Sequence, residues 1–416
     1  MNAAGCHQSN HSLPAALLLA CALMLPAALH AGRVSVRDFG ARGDGETDDA
    51  PAIQRALDQA LRDAPLVVEI PPGSYRIGRT LRVHSRTAIR AAKKARLFTC
   101  ERTPHARGDY LLTNANHDGE PDRDIAISGG IWDGNARRGT NFKPDDIFLS
   151  NGWSGVTLNF RNLRNLTLQE MELANSVTYN IRMCHLRNFR IRDIRFTARE
   201  TGWNQDGLHF NGYCFDGTID NIRADTFGQT NDDLLAFNAD DSMRRIENFG
   251  MVTGPISNIV CRNISADNCH SAVRLLSVDA PITDITISNL VAGCRVYAVN
   301  ADAARYCRTP LFKDPDKPQG VGLLRNIHFI DSTLWTTAKR HEPLVALESN
   351  TRSLTFTRIR RDHARDIDPS RPFLQMRKTK PAILTLGNQA IHHPLQQSTI
   401  LKETPSHLAI TAPDTP

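Results

Sequence analysis

Short segments of alternating apolar residues recur along this chain at an interval near 27 residues, and that interval constrains the fold more than any other feature. They come in pairs: Leu166–Met171 with Tyr179–Met183, Phe189–Ile194 with Leu208–Phe210, Ile219–Arg223 with Leu234–Asn238, Ile256–Val260 with Ala272–Leu276, and Ile282–Ile287 with Tyr297–Asn300. One inward apolar residue from each second segment gives Ile181, Leu208, Leu235, Val273 and Val299, at steps of 27, 27, 38 and 26 residues. The long step implies an insertion of about eleven residues around Ser242 to Gly254. Units of this length, built of short strands without helices, cannot bury their apolar faces alone and must stack. The pattern predicts an all-β chain folded as a right-handed parallel β-helix. Its coils would lie about 4.8 Å apart, with equivalent residues aligned in columns. A sandwich or barrel would need hairpin turns of Asn-Gly or Asp-Gly type roughly every 8 to 12 residues, and these are rare here.

The chain begins differently. Leu13 to Leu29 is almost wholly apolar and ends at Leu29-His30-Ala31, which predicts a secretory signal over residues 1–31, cleaved near Ala31. Leu18-Leu19-Ala20-Cys21 also resembles a lipoprotein box, leaving lipidation at Cys21 open. Residues 32–416 are expected to form a single domain in the periplasm or outside the cell, with weaker patterning after about Arg340 as a last coil and C-terminal cover. No later stretch approaches the ~20 apolar residues of a membrane-spanning helix. Ile53, Ala56, Leu57, Ala60 and Leu61 mark one face of a short N-terminal capping helix, with Asp48 or Asp49 as N-cap and Pro51 in its first turn. Leu66–Ile70 reads as a strand closed by Pro71-Pro72-Gly73.

Seven cysteines follow the leader: Cys100, Cys184, Cys214, Cys261, Cys269, Cys294 and Cys307. Their odd number leaves one unpaired, and no CxxC spacing suggests zinc or redox work. Buried thiols are one reading, and Cys261 with Cys269 or Cys294 with Cys307 are the pairs a disulfide would join. A net charge of +6 is compatible with an acidic polymer as ligand and equally with ordinary surface imbalance.

Columns turn sequence intervals into geometry. Asp206 precedes Leu208 by two residues and Asp233 precedes Leu235 by two, so the two carboxylates should be neighbours on successive coils, with Asp232 beside them. The next coil brings Asn268-Cys269-His270-Ser271, which puts His270 close by. One step along each strand, the outward positions are His209, Ala236, Arg274 and Asn300. Turns favour Asp and Asn on their own account, and stacked Asn ladders stabilise solenoids, so a single Asp would mean little. Three carboxylates with a His and an Arg on one strip mean more. Crowded like charges drive carboxyl pKa values apart, which gives the one protonated and one ionised group that glycoside hydrolysis requires.

The order Asn204-Gln-Asp206-Gly207, then Asn231-Asp232-Asp233 with an apolar strand ending at Asn238, then His270, resembles the family 28 glycoside hydrolases, the polygalacturonases and their relatives. Asp44-Gly-Glu-Thr-Asp-Asp49, Ile127-Ser-Gly-Gly-Ile-Trp-Asp-Gly-Asn135 and Leu173-Ala-Asn-Ser-Val177 extend the likeness, which runs from about Val34 to Val299. The resemblance implies an inverting hydrolase without a metal or other cofactor. Asp232 would be the general acid, Asp206 and Asp233 the bases holding the water, and His270 the family's active-site histidine. Asn204, His209, Asn238 and Arg274 would contact the substrate. Cys269 and Ser271 stand where the family has glycines, Gln205 where threonine is usual and Asn231 where glycine is usual. No Arg-Ile-Lys segment follows, so Arg274, ahead of Arg295 and Arg305, is the candidate grip for a sugar carboxylate.

Two other functions fit the same fold. A calcium-dependent lyase would use Asp206, Asp232 and Asp233 as ligands and an Arg such as Arg274 as base. A non-catalytic carbohydrate-binding β-helix would not need Asp232 at all. The chain has no GxSxG elbow, no phosphate loop and no basic–aromatic interleaving suited to nucleic acid. The expected partner is therefore a polysaccharide or oligosaccharide, met by a monomer.

Overall fold

The computed structural model describes residues 31–100, 108–137, 154–224, 230–240, 251–307, 319–395 and 397–413. Its core is a right-handed parallel β-helix. One face is a continuous parallel ladder that starts at Leu81–Val83 and Leu112–Asn114 and passes through Ile181–Thr197, Leu208–Phe210 and Asp233–Asn238. It continues through Ile256–Leu276, Ile282–Ala301, Val345–Leu347 and Leu374–Arg377. Register follows the predicted intervals: Ile181 pairs with Leu208, Leu208 with Leu235, Leu235 with Val273 and Val273 with Val299. All five of these side chains are fully buried. The insertion expected in the 38-residue step falls largely on residues 241–250, outside the described residues.

The coils turn at residues in the left-handed region. Asn162, Asn165 and Glu170 bend the segment Leu158–Ala174, with φ of 59°, 61° and 58°. Asn tolerates this conformation because its short side chain can bond locally. Here the amides also bond between coils: Asn188 donates to Asn165 at 2.6 Å, Asn165 to Asp124 at 2.7 Å, and Asn289 to Asn263 at 2.7 Å. Inside, Phe189, Phe210 and Phe237 stack along the axis with centroids 5.3 and 5.4 Å apart. Each fully buried side chain of this size contributes about 1.5–3 kcal/mol.

Both ends are covered. The helix Ala50–Leu57 lies at the N-terminal end with Asp49 at its N-cap and Pro51 in its first turn. Asp49 does not cap through its side chain, because its carboxylate accepts the backbone N–H groups of Arg42 and Gly43 at 2.6 and 2.9 Å. Leu61, expected on the apolar face, is instead 69% exposed, because the helix stops and a separate turn, Ala60–Asp63, redirects it. At the other end the chain reverses: Ser398–Leu401 pairs antiparallel with Leu374–Arg377, and His407–Thr411 pairs antiparallel with Ser353–Arg361.

All seven cysteines are buried thiols, and neither expected disulfide forms. The sulfurs of Cys269 and Cys294 lie 3.8 Å apart, paired in register on successive coils. Proximity in a solenoid is set by the coil, not by the shortest sequence gap. The expected leader lies outside the described residues but for Ala31. Among the described residues, no helix is long and apolar enough to cross a membrane.

Candidate active site

The ladder fixes the carboxylates through its backbone. Asn180 N–H donates to the Asp206 carbonyl at 2.9 Å and Gly207 N–H to the Asp233 carbonyl at 2.9 Å, so Asp206 and Asp233 occupy one column. Ser271 and then Tyr297 continue it. Gly207 is required by this stacking: a Cβ there would come within 2.5 Å of the Leu234 carbonyl oxygen and 3.0 Å of the Phe196 ring. His270 stands opposite Asp232, whose carbonyl accepts its N–H at 3.2 Å.

The three carboxylates have different surroundings. Asp206 and Asp233 side chains are only 4% exposed, whereas Asp232 is 24% exposed and His270 33%. Burial pushes Asp206 up to about 7, against the opposing pull of His209, whose Nδ1 lies 2.5 Å from Asp206 Oδ2. Burial and then the charge of Asp233 raise Asp232, opposed by His270, Arg274 and the Asn204 N–H that donates to its Oδ2 at 3.0 Å. Burial also acts to raise Asp233, but the His270 hydrogen bond, Arg274 and Ser271 outweigh it and hold the carboxyl below its ordinary range. His270 is raised in turn, because Asp233 and Asp232 overcome the effect of its burial. Two adjacent residues thus have proton affinities shifted in opposite directions, the pattern of an acid beside an anion.

The residues assigned to substrate contact divide. Asn204 is partly exposed and holds Asp232 through its backbone. His209 is fully buried, so its expected contact with substrate is not available. Its ring instead faces Asp206 and stacks on Tyr179 with centroids 3.8 Å apart and planes at 13°. Asn238 is 5% exposed at the strand end, opposite Leu276. Arg274, opposite Ala236 in register, comes within 3.8 Å of Asp233, yet it is 8% exposed and paired with Asp302 at 3.1 Å, so it is committed within the protein. Arg295 is partly exposed; it donates to the carbonyls of Asn268 and Asn231 at 2.5 and 2.9 Å and is influenced by the charge of Asp232. Sequence reasoning missed Tyr179, although it lies 27 residues before Asp206 in the same column. It also missed Asp302, whose pairing with Arg274 carries no periodic signal.

Asp232, Asp233 and His270 offer possible metal-ligand atoms within 4.8 Å of one another. The donor set suits calcium poorly. Calcium takes six to eight oxygens, and here one donor is an imidazole while Asp206 is turned to His209 and to the Asp233 N–H. Among the described residues, the possible ligand group is Asp232, Asp233 and His270, whereas the calcium-lyase reading called for Asp206 in place of the histidine.

Residues 33–295, more than half of the chain, match the family described as rhamnogalacturonase A/epimerase, pectate lyase-like. A polygalacturonase from Arabidopsis thaliana is 26% identical over 266 residues, covering 60% of this chain and 57% of the plant enzyme. The chain therefore spans just over half of that relative's length. An exopolygalacturonase of Thermotoga maritima superposes with a TM-score of 0.57 at 17% identity, over 89% of this chain and 95% of that one. A family 28 exopolygalacturonase of Yersinia enterocolitica gives 0.55 at 18% identity, over 80% and 71%. At these identities the structural likenesses establish the fold. Together with the sequence match, they place the chain in the rhamnogalacturonase A/epimerase, pectate-lyase-like family of parallel β-helix proteins.

Proposed function

We propose that the chain hydrolyses a glycosidic bond in a uronate-containing polysaccharide or oligosaccharide, with inversion at the anomeric carbon and after export by residues 1–31. The observation that carries this reading is the contrast between Asp232 and Asp233: one carboxyl raised and partly exposed, its neighbour lowered and buried. Asp232 keeps a proton to give to the leaving oxygen, which removes the need to expel an alkoxide. Asp233, held ionised by His270 and Arg274, orients the attacking water with Asp206. Asp206 serves as base once it has lost its own proton, and His209 lies where it favours that ionised state. With Arg274 committed to Asp302, Arg295 beside Asp232 becomes the better candidate for gripping a uronate carboxylate.

The test is release of reducing ends from polygalacturonate and related acidic glycans by wild type and Asp232→Asn. Loss of a general acid costs roughly 10²–10⁴-fold in rate, and the variant should melt at the wild-type temperature. Undiminished release would remove Asp232 from the mechanism. One observation favours retention as a second reading: ligand atoms of Asp232 and Asp233 lie within 4.8 Å, closer than the roughly 6.5–9.5 Å of ordinary inverting pairs. Proton NMR of the first-formed anomer separates the two.

A further inference from the structure

Among the described residues, Trp203 is the most exposed aromatic residue near the site, at 67% exposure. A single exposed aromatic is ordinary on a protein surface; what distinguishes this one is its place next to Asn204, whose backbone holds Asp232. Its backbone is held on both sides. Gly202 donates its N–H to Gln205 at 2.8 Å and accepts from the Asn231 amide at 2.7 Å, and the next residue, Asn204, donates its N–H to Asp232 at 3.0 Å. Gln205 is itself tied to the carbonyls of Ser176 and Glu200 at 2.8 and 2.9 Å. Consecutive Cα atoms are about 3.8 Å apart, so the Trp203 backbone lies about one residue's length from that of Asn204, whose N–H holds Asp232. The bonds on either side of Trp203 hold its backbone, so less chain has to be ordered when a ligand binds there.

We propose that Trp203 is a sugar-stacking platform, which binds the apolar face of a pyranose ring next to the bond held at Asp232. The groups on the far side of the carboxylates differ in kind. Arg295 and Arg305 lie on later strands and turns, where Arg305 bonds Asp302 and the Tyr297 hydroxyl at 2.6 and 2.7 Å. Trp203 thus lies in the coil that carries Asp206, and these two arginines lie on later ones. The ligand class that matches is an oligosaccharide of at least two pyranoses, stacked at one end and carrying a carboxylate at the other. The cationic half of this description rests on the proposed function; the platform itself requires only that the groove bind a glycan.

Equilibrium binding separates the two, because it needs no turnover. In an Asp232→Asn background, oligogalacturonides of increasing length and neutral xylo-oligosaccharides are titrated by calorimetry and by tryptophan fluorescence. Trp203→Ala is expected to weaken binding of the longer oligomers about tenfold, the loss of one stacked aromatic face, while Trp203→Phe retains most of the affinity. Bound sugar should protect the indole of the parent from iodide quenching, with the protected signal absent in Trp203→Ala. Equal affinities for parent and Trp203→Ala across all oligomers would overturn the platform and leave hydrolysis standing. Binding that depends on Trp203, with no bond cleaved by the wild type, would overturn hydrolysis and leave the platform. No binding by any of these sugars would overturn both.

Discussion

Replacing His209 by Leu removes the nitrogen that sits 2.5 Å from Asp206 while keeping a side chain of similar bulk against Tyr179. Burial already raises Asp206 to about 7, and His209 is the chief group opposing that rise. A hydrogen bond to a charged group is worth about 1.5–3 kcal/mol, which corresponds to roughly 1–2 pKa units. The proton affinity of Asp206 should therefore increase by that amount. If Asp206 must ionise to activate water, the acid limb of kcat/KM moves up by about 1–2 pH units, and activity at a fixed acidic pH falls about tenfold to a hundredfold. His209→Gln, which keeps an N–H donor, should recover part of the shift. The same group sets a stability trend. Its folded pKa exceeds the ordinary 3.8, so its full contribution is present below 3.8 and is lost as pH rises toward about 7. In His209→Leu that loss extends to higher pH. Reducing-end release across the acid and neutral range, with melting temperatures at each pH, checks both. An acid limb that stays in place while activity drops equally at every pH would show that His209 only packs, and would refute the linkage to Asp206.

Gly207→Ala should lower the melting temperature and activity together, because its Cβ would press on the Leu234 carbonyl at 2.5 Å. Overpacking of this kind costs about 1–3 kcal/mol, read by denaturant unfolding. A chelator should leave hydrolysis unchanged, and no product absorbing in the ultraviolet should form; loss of activity restored by a divalent cation would instead assign Asp232, Asp233 and His270 to a metal.

The register of the solenoid was legible because its core repeats. A coil slipped by one residue would turn Leu208 and Leu235 outward, so the alternation specifies pairing strongly. The carboxylate column followed from that register alone, as did the position of Ala236 between His209 and Arg274. What covers an outward side chain was not legible. Alternation placed His209 outside the core, yet it is fully buried, its ring stacked on Tyr179 and bonded to Asp206. Arg274 is a similar case: its column was read correctly, but its partner Asp302 comes from the end of another strand. The cysteines failed for a third reason. Nearness in sequence suggested Cys261 with Cys269, whereas the coil brings Cys269 to Cys294.

The reversal of chain direction at the C-terminal end also bears on what another coil would meet there. A parallel coil offers the next coil an unpaired edge, and in principle another copy's first coil could continue the stack without limit. Antiparallel strands from Ser398–Leu401 and His407–Thr411 occupy that edge with the opposite polarity. The edge of the last parallel strands is thus taken up within the chain itself, and what another coil would meet there is a strand running the other way.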